Sequence, residues 1–203
     1  MSGQPEVWIA GAADQALLAA ALAEAFHDGD LAEWLVPDPD ERAAIYGGYF
    51  ALVLDGFVAQ PNVRIEVYDA FRGVAIWAAN QTRFSLPIPD YPRRLATCCH
   101  PRTHRFEALD AAMDAHHPVG PHEYLAYLAV PPKHQGQGIG SRLLQHRLAR
   151  LDAAGRVAYL EATGERNVAL YRRHGFQLLR PVPLGDDVAL YPMHRPPTPV
   201  NRC

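Results

Sequence analysis

Residues 123–140 read EYLAYLAVPPKHQGQGIG, and this stretch decides the fold. Its first part, residues 124–130 (YLAYLAV), is almost wholly apolar, as is typical of a strand buried on both faces. Three glycines at alternate positions follow, and residues 141–144 (SRLL) then begin an apolar-periodic helix. Glycines let the main chain approach a ligand closely, and the free N–H groups at the start of a helix attract an anion. The stretch therefore predicts a phosphate-binding loop between a strand and a helix.

Spacing separates three kinds of phosphate-binding loop. A P-loop ends in Gly-Lys-Ser/Thr, but Gly140 is followed directly by Ser141, and the only lysine of the chain is Lys133. A Rossmann turn needs G-x-G-x-x-G close behind the strand and an acid about 20 residues further on, a distance that Glu161 fits. Here, however, the glycines read G-x-G-x-G, five residues separate them from the strand, and too little chain follows for a six-stranded dinucleotide sheet. The third kind, Gln/Arg-x-x-Gly-x-Gly/Ala, matches residues 135–140 at each fixed position.

That third pattern resembles the acetyl-coenzyme A loop of the GNAT acetyltransferase superfamily. Residues 166–176 (RNVALYRRHGF) resemble the second signature of the superfamily, an asparagine followed by a helix that carries a tyrosine and ends in Gly-Phe. Within the superfamily, residues 130–138 and residues 159–167 are most similar to the puromycin N-acetyltransferase-like members. The resemblance is strong over about residues 120–180, and over residues 1–80 only the order of elements agrees.

The residues of the second signature also have a physical interpretation. Asn167 suits the N-cap of a helix, because its side chain accepts hydrogen bonds from free N–H groups. Gly175 suits the position just after the helix, where φ is often positive, and Phe176 then begins a new strand. Tyr171 is either an aromatic residue packed on the helix face or a functional group, and its spacing from Asn167 favours function.

The order of predicted elements, β-α-α-β-β-α-β-α-β-α-β-β, supports one mixed α/β sheet with helices on both sides. The resemblance implies a GNAT-type α/β (α+β mixed) single domain over residues 1–195, with a mixed, mostly antiparallel sheet of six to seven strands. A flexible tail is expected over residues 196–203. The other predicted strands are residues 5–11, 63–69, 73–79, 157–163 and 187–195, and the predicted helices include one capped by Asp14 and others at 40–58, 104–116 and 138–152. Pro192 in the last strand implies an edge or an irregular end.

The loop and the resemblance together predict how the co-substrate is held. The resemblance implies acetyl-coenzyme A and no metal, with the N–H groups of residues 136–141 on the pyrophosphate. A break in pairing between the central strand and residues 157–163 would open a slot for the pantetheine arm. The predicted cofactor-binding residues are Leu128, Ala129, Val130, Gln135, Gly136, Gln137, Gly138, Ile139, Gly140, Ser141 and Asn167.

Two residues are predicted to be catalytic. The resemblance implies that Tyr171 is the general acid, and a tyrosine hydroxyl stays protonated at neutral pH. Glu161 ends an apolar strand, where it could serve as a base or form an inert ion pair with Arg166. Glu123 and Tyr124 are further candidates for the base, and superfamily members often need no strong base.

The acceptor is harder to read from the sequence. The residues Trp34, Tyr46, Tyr49, Phe50, Trp77 and Tyr124 could line a pocket for a planar or apolar amine, although helical spacing also makes several of them ordinary core residues. His116, His117 and His122 precede the central strand without a metal-binding spacing, which favours solvated loop histidines. We expect transfer to the primary amine of an antibiotic or aminonucleoside-like small molecule in a ternary complex. The alternatives are a protein or peptide N-acetyltransferase, a longer-acyl transferase and a non-catalytic acyl-coenzyme A sensor.

Composition bounds the partners. The chain has 203 residues, 49% of them hydrophobic, and a formal charge of −3. No basic block interleaved with aromatics points to nucleic acid, and no run of 18 apolar residues or signal-like N-terminus points to a membrane. The expectation is a cytoplasmic protein, monomeric or homodimeric. Three cysteines without a framework favour reduced thiols.

Overall fold

The computed structural model describes residues 7–185 and 187–199, which form a single sheet covered by helices. The strands are β1 (Val7–Ala10), β2 (Val63–Tyr68), β3 (Gly73–Asn80), β4 (His122–Ala129), β5 (Ala158–Ala162), β6 (Gln177–Leu178), β7 (Val182–Pro183) and β8 (Ala189–Arg195). The α-helices are α1 (Gln15–Ala25), α2 (Asp30–Leu35), α3 (Pro39–Val58), α4 (Tyr91–Cys99), α5 (Thr103–His116), α6 (Ile139–Ala153) and α7 (Glu165–Arg173). Among the described helices, none combines the length and the apolar character that crossing a membrane requires.

The sheet is mixed and mostly antiparallel, as predicted. Its strands run in the order β1-β2-β3-β4-β5-β8-β6, and β7 adds to β8, which makes eight strands rather than six or seven. Every neighbouring pair is antiparallel except β4 and β5, which are parallel and joined by α6. A parallel pair requires a crossover of this kind, because the chain has to return to the same end of the sheet.

Helices cover both faces of the sheet. Along β3 the side chains alternate between the two cores: Val74 and Ile76 join the apolar cluster formed with α1 and α3, whereas Ala75 and Trp77 join the cluster under α6. Because both faces are covered, β3 is apolar at consecutive positions instead of alternating apolar and polar residues.

A β-bulge interrupts this alternation on β4. Ile76 pairs with Tyr127 and Trp77 with Leu125, so Ala126 is an extra residue on β4. As a result Ala126 and Tyr127 both face the α1 and α3 side, between Leu125 and Leu128, which face α6. A bulge bends its strand and increases the local twist, and here it lies in the strand next to the parallel pair.

β4 and β5 are paired at one end only. Glu123 pairs with Ala158 and Tyr124 with Tyr159, and no further pair follows. β5 continues instead along β8, through to Ala162 opposite Tyr191. The two parallel strands therefore part beyond Tyr124, which is the break in pairing that the sequence analysis required.

A buried ion pair lies at the closed end of this split. The Glu123 carboxylate accepts a hydrogen bond from Arg147 Nη2 of α6 at 2.7 Å, and Arg156 Nε lies 3.2 Å from its other oxygen. The Glu123 side chain is 3% exposed, so its charge depends on these two guanidinium groups. Glu123 is thereby neutralised and is not a free base.

Helix α7 begins earlier than expected. Its N-cap is Gly164, and Asn167 lies three residues inside the helix, where its Nδ2 donates to Thr163 Oγ1 at 3.3 Å. The prediction of Asn167 as the N-cap was wrong because Gly164 leaves the strand in an extended conformation and Glu165 places an acid in the first turn, which the helix dipole favours. Gly175, with φ of +84°, ends the helix as predicted.

The C-terminal region differs from expectation in two places. Pro192 does not lie on an edge of the sheet, because its strand β8 is paired with β5 on one side and with β6 and β7 on the other. The Pro192 carbonyl accepts a hydrogen bond from Leu179 N, which follows β6 in the irregular segment before β7. The start of the predicted flexible tail is held, since Thr198 N donates to Asp152 Oδ1 at 2.7 Å, and that carboxylate also binds Arg195. Residues 200–203 lie outside the described residues.

Helix α2 and strand β7 were not predicted, and α4 was expected only as a short helix within residues 80–98. The other elements agree with their predicted ranges to within a few residues. The polar residues before Pro37 obscure the short apolar face formed by Ala32 and Leu35, which are both buried. Residues 5 and 6 of the predicted first strand lie outside the described residues.

We expect Gly73→Ala to destabilise the fold by about 1–3 kcal/mol, because an added Cβ would lie 2.5 Å from Ile139 Cγ2, a stiff buried side chain at the start of α6. The matched control is Gly47→Ala in α3, where no atom lies within 4 Å of the added methyl group. That change should stabilise the helix by about 0.5–1 kcal/mol. Urea denaturation of both variants measures the difference, and equal effects would contradict the close packing of β3 against α6.

Candidate active site

A cavity of about 1790 Å³ opens where β4 and β5 part. One side is formed by the 135–141 loop and helix α7, and the other by α3, α5 and the segment 83–88. Leu125 to Leu128 on β4 run between the two sides. The cavity therefore joins the predicted phosphate-binding loop to the aromatic helices of the N-terminal half.

The glycine loop has the geometry of an anion cradle. Gly136 and Gly138 have φ of +74° and +75°, a conformation that side-chain-bearing residues rarely adopt, and no atom lies within 4 Å of an added Cβ at either position. The first helical hydrogen bond runs from Arg142 N to the Gly138 carbonyl. The N–H groups of residues 139–141 therefore precede the helical hydrogen bonds and have no backbone acceptor among the described residues.

The two glutamines of the loop have different orientations. Gln135 Nε2 donates to the Val130 carbonyl at 3.0 Å, which closes the loop onto the end of the strand, and Gln135 lines the cavity. Gln137 Oε1 accepts from Arg72 Nη2 at 2.6 Å, and its Nε2 donates to the Lys133 carbonyl. The Gln137 side chain therefore binds the β2–β3 turn and does not line the cavity, and the predicted contact of its backbone N–H group with the cofactor stays a prediction.

An apolar passage leads from the loop into the cavity. An added Cβ on Gly140 would lie 3.7 to 3.9 Å from the side chains of Leu128, Leu170 and Val130, so these three apolar side chains line the passage next to Gly140. The Ala129 side chain is buried in the opposite face of the sheet. For Leu128, Ala129 and Val130, the predicted main-chain bonds to a ligand stay a prediction.

Tyr171 and Asn167 of α7 both line the cavity. The Tyr171 ring packs edge-on against Phe176 at a centroid distance of 5.8 Å, and its hydroxyl has no hydrogen-bond partner among the described residues. Burial raises the pKa of Tyr171 above its ordinary value, so the hydroxyl is protonated throughout the neutral range. Ser141 lines the same cavity, and its hydroxyl lies 3.1 Å from His174 Nε2.

Glu161 lies beside a histidine that the sequence analysis placed in a solvated loop. Its Oε1 is 3.5 Å from His117 Nδ1, and both side chains are about nine-tenths or more buried, at 5% and 4% exposed. His117 Nε2 is 2.9 Å from His122 Nε2, and His122 Nδ1 is 2.8 Å from the Gly120 carbonyl. Only His116 of the three histidines is exposed. The solvated-loop prediction was wrong for His117 and His122, and Glu161 contacts His117 rather than Arg166.

Hydrogen-bond partners assign two protons of this chain. The Gly120 carbonyl can only accept, so His122 Nδ1 carries a proton, and Asn80 Nδ2 lies 3.1 Å from His122 Nε2 as a donor. One further proton lies between the two Nε2 atoms. Burial lowers the pKa of His122.

Tyr124 and Tyr159 stand next to Glu161. Burial, and after it the negative charge of Glu161, raise the pKa of both tyrosines, which marks their hydroxyls as protonated neighbours of the carboxylate. Tyr124 lines the cavity and Tyr159 does not. Tyr124 is therefore a donor near Glu161 and not a base.

The structure places four of the six predicted aromatic residues at the cavity. Tyr46, Tyr49, Phe50 and Tyr124 line the cavity. Trp77 does not, because it points from β3 into the fully buried core under α6. Trp34 does not either: its ring lies under the Arg105 guanidinium at 5.4 Å and against Gly185.

Sequence reasoning missed Asp110 and Tyr91, which both line the cavity. Asp110 follows Leu109 on α5, whose apolar face is formed by Phe106 and Leu109, so its place beside that face was a usable signal. His117 follows the last turn of α5, and no local pattern marks it. Over the described residues, no three His, Cys, Asp or Glu side chains are placed to share a metal ion.

Comparison with known proteins connects this geometry to a family. Residues 106–178 match the family model described as an acetyltransferase (GNAT) domain. A similar solved structure comes from Corynebacterium glutamicum ATCC 13032 and is described as histone acetyltransferase HPA2 and related acetyltransferase. The two sequences are 30% identical, and the match covers 98% of this chain and 99% of the other. The two structures superpose with a TM-score of 0.69. The chain belongs to the GNAT acetyltransferases.

Other GNAT structures share the fold at lower identity. Arylalkylamine N-acetyltransferase 2 from Aedes aegypti is 13% identical, with coverage of 97% of this chain and 100% of its own and a TM-score of 0.64. Ribosomal-protein-S18-alanine N-acetyltransferase from Escherichia coli is 14% identical, with coverage of 98% and 97% and a TM-score of 0.54. This acetyltransferase is thus an acyl-coenzyme A N-acyltransferase, and members of its family use acetyl-coenzyme A. The open cradle at Gly136 and Gly138 fits a diphosphate of that kind.

We expect Gly138→Ala to weaken coenzyme A binding by about tenfold or more, because its Cβ would project into the open space of the cradle. Gly155→Ala is the matched control: Gly155 also has a positive φ, +64°, and open space around it, but it lies in the turn after α6. Both variants should lose about 1–2 kcal/mol of stability from backbone strain. Calorimetric titration with coenzyme A separates them, and equal affinities would contradict the assignment of the cradle.

Proposed function

We propose that this acetyltransferase transfers the acetyl group of acetyl-coenzyme A to the primary amine of a small molecule, directly and in a ternary complex. The observation that carries the proposal is that one cavity contains the anion cradle, the Tyr171 hydroxyl and the buried Glu161 carboxylate. Acetyl-coenzyme A, when bound, supplies an activated acetyl group as a thioester. The chain has to orient the two substrates, take a proton from the acceptor ammonium and deliver one to the departing sulfur.

Tyr171 is proposed as the general acid. Its hydroxyl has no partner among the described residues, faces the cavity from α7 and is kept protonated by burial. A thiolate has an ordinary pKa of about 8.5, so a protonated phenol beside it can stabilise it or protonate it. The loop and Tyr171 are held together by the packing of Leu170 near Gly140 and by the contact of Ser141 with His174.

Glu161 is proposed as the group that receives the proton of the acceptor ammonium. It lines the cavity, and no arginine or lysine nitrogen lies within 4 Å of it among the described residues. His117 stands behind it and His122 behind His117, so a proton taken up at Glu161 has an imidazole chain to move along. This arrangement disfavours the alternative in which Glu161 forms an inert ion pair with Arg166.

The shape of the acceptor side supports a small molecule. Tyr46, Tyr49 and Phe50 of α3, with Phe84 and Tyr91, surround this part of the cavity and favour an apolar or aromatic acceptor over an extended peptide. The resemblance to puromycin N-acetyltransferase-like members makes an antibiotic or aminonucleoside the proposed acceptor, and antibiotic resistance the corresponding role. The description of the C. glutamicum relative as a histone acetyltransferase is the reason to include a peptide amine in the first acceptor screen.

We expect Tyr171→Phe to reduce kcat by about 10- to 1000-fold while coenzyme A affinity stays unchanged, because the substitution removes only the hydroxyl group that would donate the proton. The matched control is Tyr68→Phe, since Tyr68 is equally buried but lies outside the cavity. Thiol release with an amine panel, puromycin included, gives kcat, and calorimetry gives the affinity. Near-native turnover in Tyr171→Phe would remove its assignment as the acid.

We expect His117→Gln to reduce kcat/KM by about 100-fold, because Glu161 would lose the imidazole to which it can pass a proton. The control is His116→Gln, which changes the exposed neighbouring histidine. A kcat/KM profile from pH 5 to 9 that is identical in all three proteins would show that His117 takes no part in the proton balance.

A further inference from the structure

Asp110 is a carboxylate in the cavity that the proposed reaction does not use. It faces the cavity from α5, and it accepts a hydrogen bond from the Tyr91 hydroxyl of α4 at 2.7 Å. Among the described residues, no arginine, lysine or histidine nitrogen lies within 4 Å of it, in contrast to Asp55, Asp152 and Glu123, which all have arginine partners. The cavity wall thus contains a carboxylate with a neutral donor and no counter-ion.

Aromatic rings surround this carboxylate. The charge of Asp110 acts on the hydroxyls of Tyr49, Tyr91 and Tyr127, which approach it from α3, α4 and β4. Tyr49 packs against Phe50 at 5.3 Å, and Phe50 packs against Tyr127 at 5.8 Å. Aromatic faces next to a carboxylate suit an organic cation, because ring quadrupole and negative charge attract the same group.

Asp110 and Glu161 occupy different parts of the cavity. Glu161 Oε1 lies 3.5 Å from His117 Nδ1, whereas Asp110 accepts its hydrogen bond from the Tyr91 hydroxyl of α4, so each carboxylate has its own polar partner. A ligand whose amine meets Glu161 therefore leaves Asp110 free for a second group of the same molecule.

A half-buried carboxylate without a counter-ion lowers the stability of the fold. Burial, with the nearby acids Asp114 and Glu107, raises the pKa of Asp110 to about 6, and the hydrogen bond from Tyr91 lowers it in part. A neutral side chain could tie α5 to α4 at less cost, since an asparagine oxygen accepts the same bond. The negative charge is therefore the property to be explained, and a cation from the ligand explains it.

We propose that the acceptor carries a second cationic group in addition to the amine that is acetylated, and that Asp110 with Tyr49, Tyr91 and Tyr127 binds that group. This inference rests on the proposed function and specifies its substrate class: an amine with a second, remote ammonium or related organic cation, joined by an apolar or aromatic spacer. A singly charged amine of equal length fills the same space but leaves the Asp110 charge buried without a partner.

Steady-state kinetics on the full chain with acetyl-coenzyme A provide the test. The acceptors are α,ω-diaminoalkanes of three to eight carbons, each matched to the monoamine of the same length. We expect kcat/KM to be about 10- to 100-fold higher for the best diamine than for its monoamine, the range for a charged hydrogen-bonded contact. Asp110→Asn should abolish that preference while keeping the Tyr91 bond, and Glu107→Gln, an exposed acid on the same helix outside the cavity, should retain it.

A second measurement needs no turnover. Butyltrimethylammonium has a fixed charge and no transferable proton, so it binds without reacting, and comparison of the native protein with Asp110→Asn gives the part of its affinity that comes from the Asp110 subsite. The carboxylate is ionised above its pKa of about 6, so affinity should rise as pH increases from 5 to 7.5 and level off above that. The groups that face Asp110 from the surrounding elements are Tyr49, Tyr91, Cys99, Tyr127, Glu107 and Asp114. Burial raises the pKa of the three tyrosines, and the contact with Cys98 together with burial raises the pKa of Cys99, so these four groups stay neutral across this range.

The outcomes separate this inference from the proposed function. Equal rates for diamines and monoamines, or a preference that survives Asp110→Asn, overturn the second cation subsite and leave the transferase function standing. Binding of the fixed cation that depends on Asp110, with no thiol release from any small amine, supports the subsite and overturns the small-molecule transferase. If the fixed cation shows no Asp110-dependent binding and no small amine releases thiol, both the second cation subsite and the small-molecule transferase function are overturned.

Discussion

The parting of β4 from β5 after two residue pairs is the constraint on which the rest of this molecule depends. Parallel strands normally continue side by side for as long as their hydrogen bonds remain in register. Here the bulge at Ala126 bends β4 on one side of the split, while β8 keeps β5 straight on the other. The cavity, the exposed start of α6 and the inward face of α7 all follow from that divergence.

An ion pair holds the two strands and helix α6 together at the end where β4 and β5 are still paired. The Glu123 carboxylate, held between Arg147 of α6 and Arg156 just beyond it, fixes the crossover helix to the first of the two paired residues of β4. Such a pair contributes little net stability over an apolar replacement, but losing one partner leaves a buried charge at a cost of about 3–5 kcal/mol. The ion pair therefore serves to hold α6 against the paired end of the two strands.

The sequence predicted most of the cofactor side and less of the acceptor side, for a physical reason. Gly136, Gly138 and Tyr171 lie in one continuous segment, where local spacing determines geometry. His117 is buried because Phe84, Tyr124 and Tyr159 pack against its ring, and Phe84 and Tyr159 are both distant from it in sequence. Trp77 illustrates the same limit: in a strand apolar on both faces, periodicity does not reveal which core a side chain enters.

Lys133 is the only lysine in the chain, and its ammonium is at the surface next to Glu24, two residues before the glutamine that closes the glycine loop. The other basic side chains are arginines or histidines, which amine-directed reagents leave largely unmodified near neutral pH. A fluorophore coupled through an activated ester would therefore attach at this position and at the amino terminus alone. The chain thus provides a nearly single-site optical reporter at the rim of its anion cradle, without any engineered cysteine.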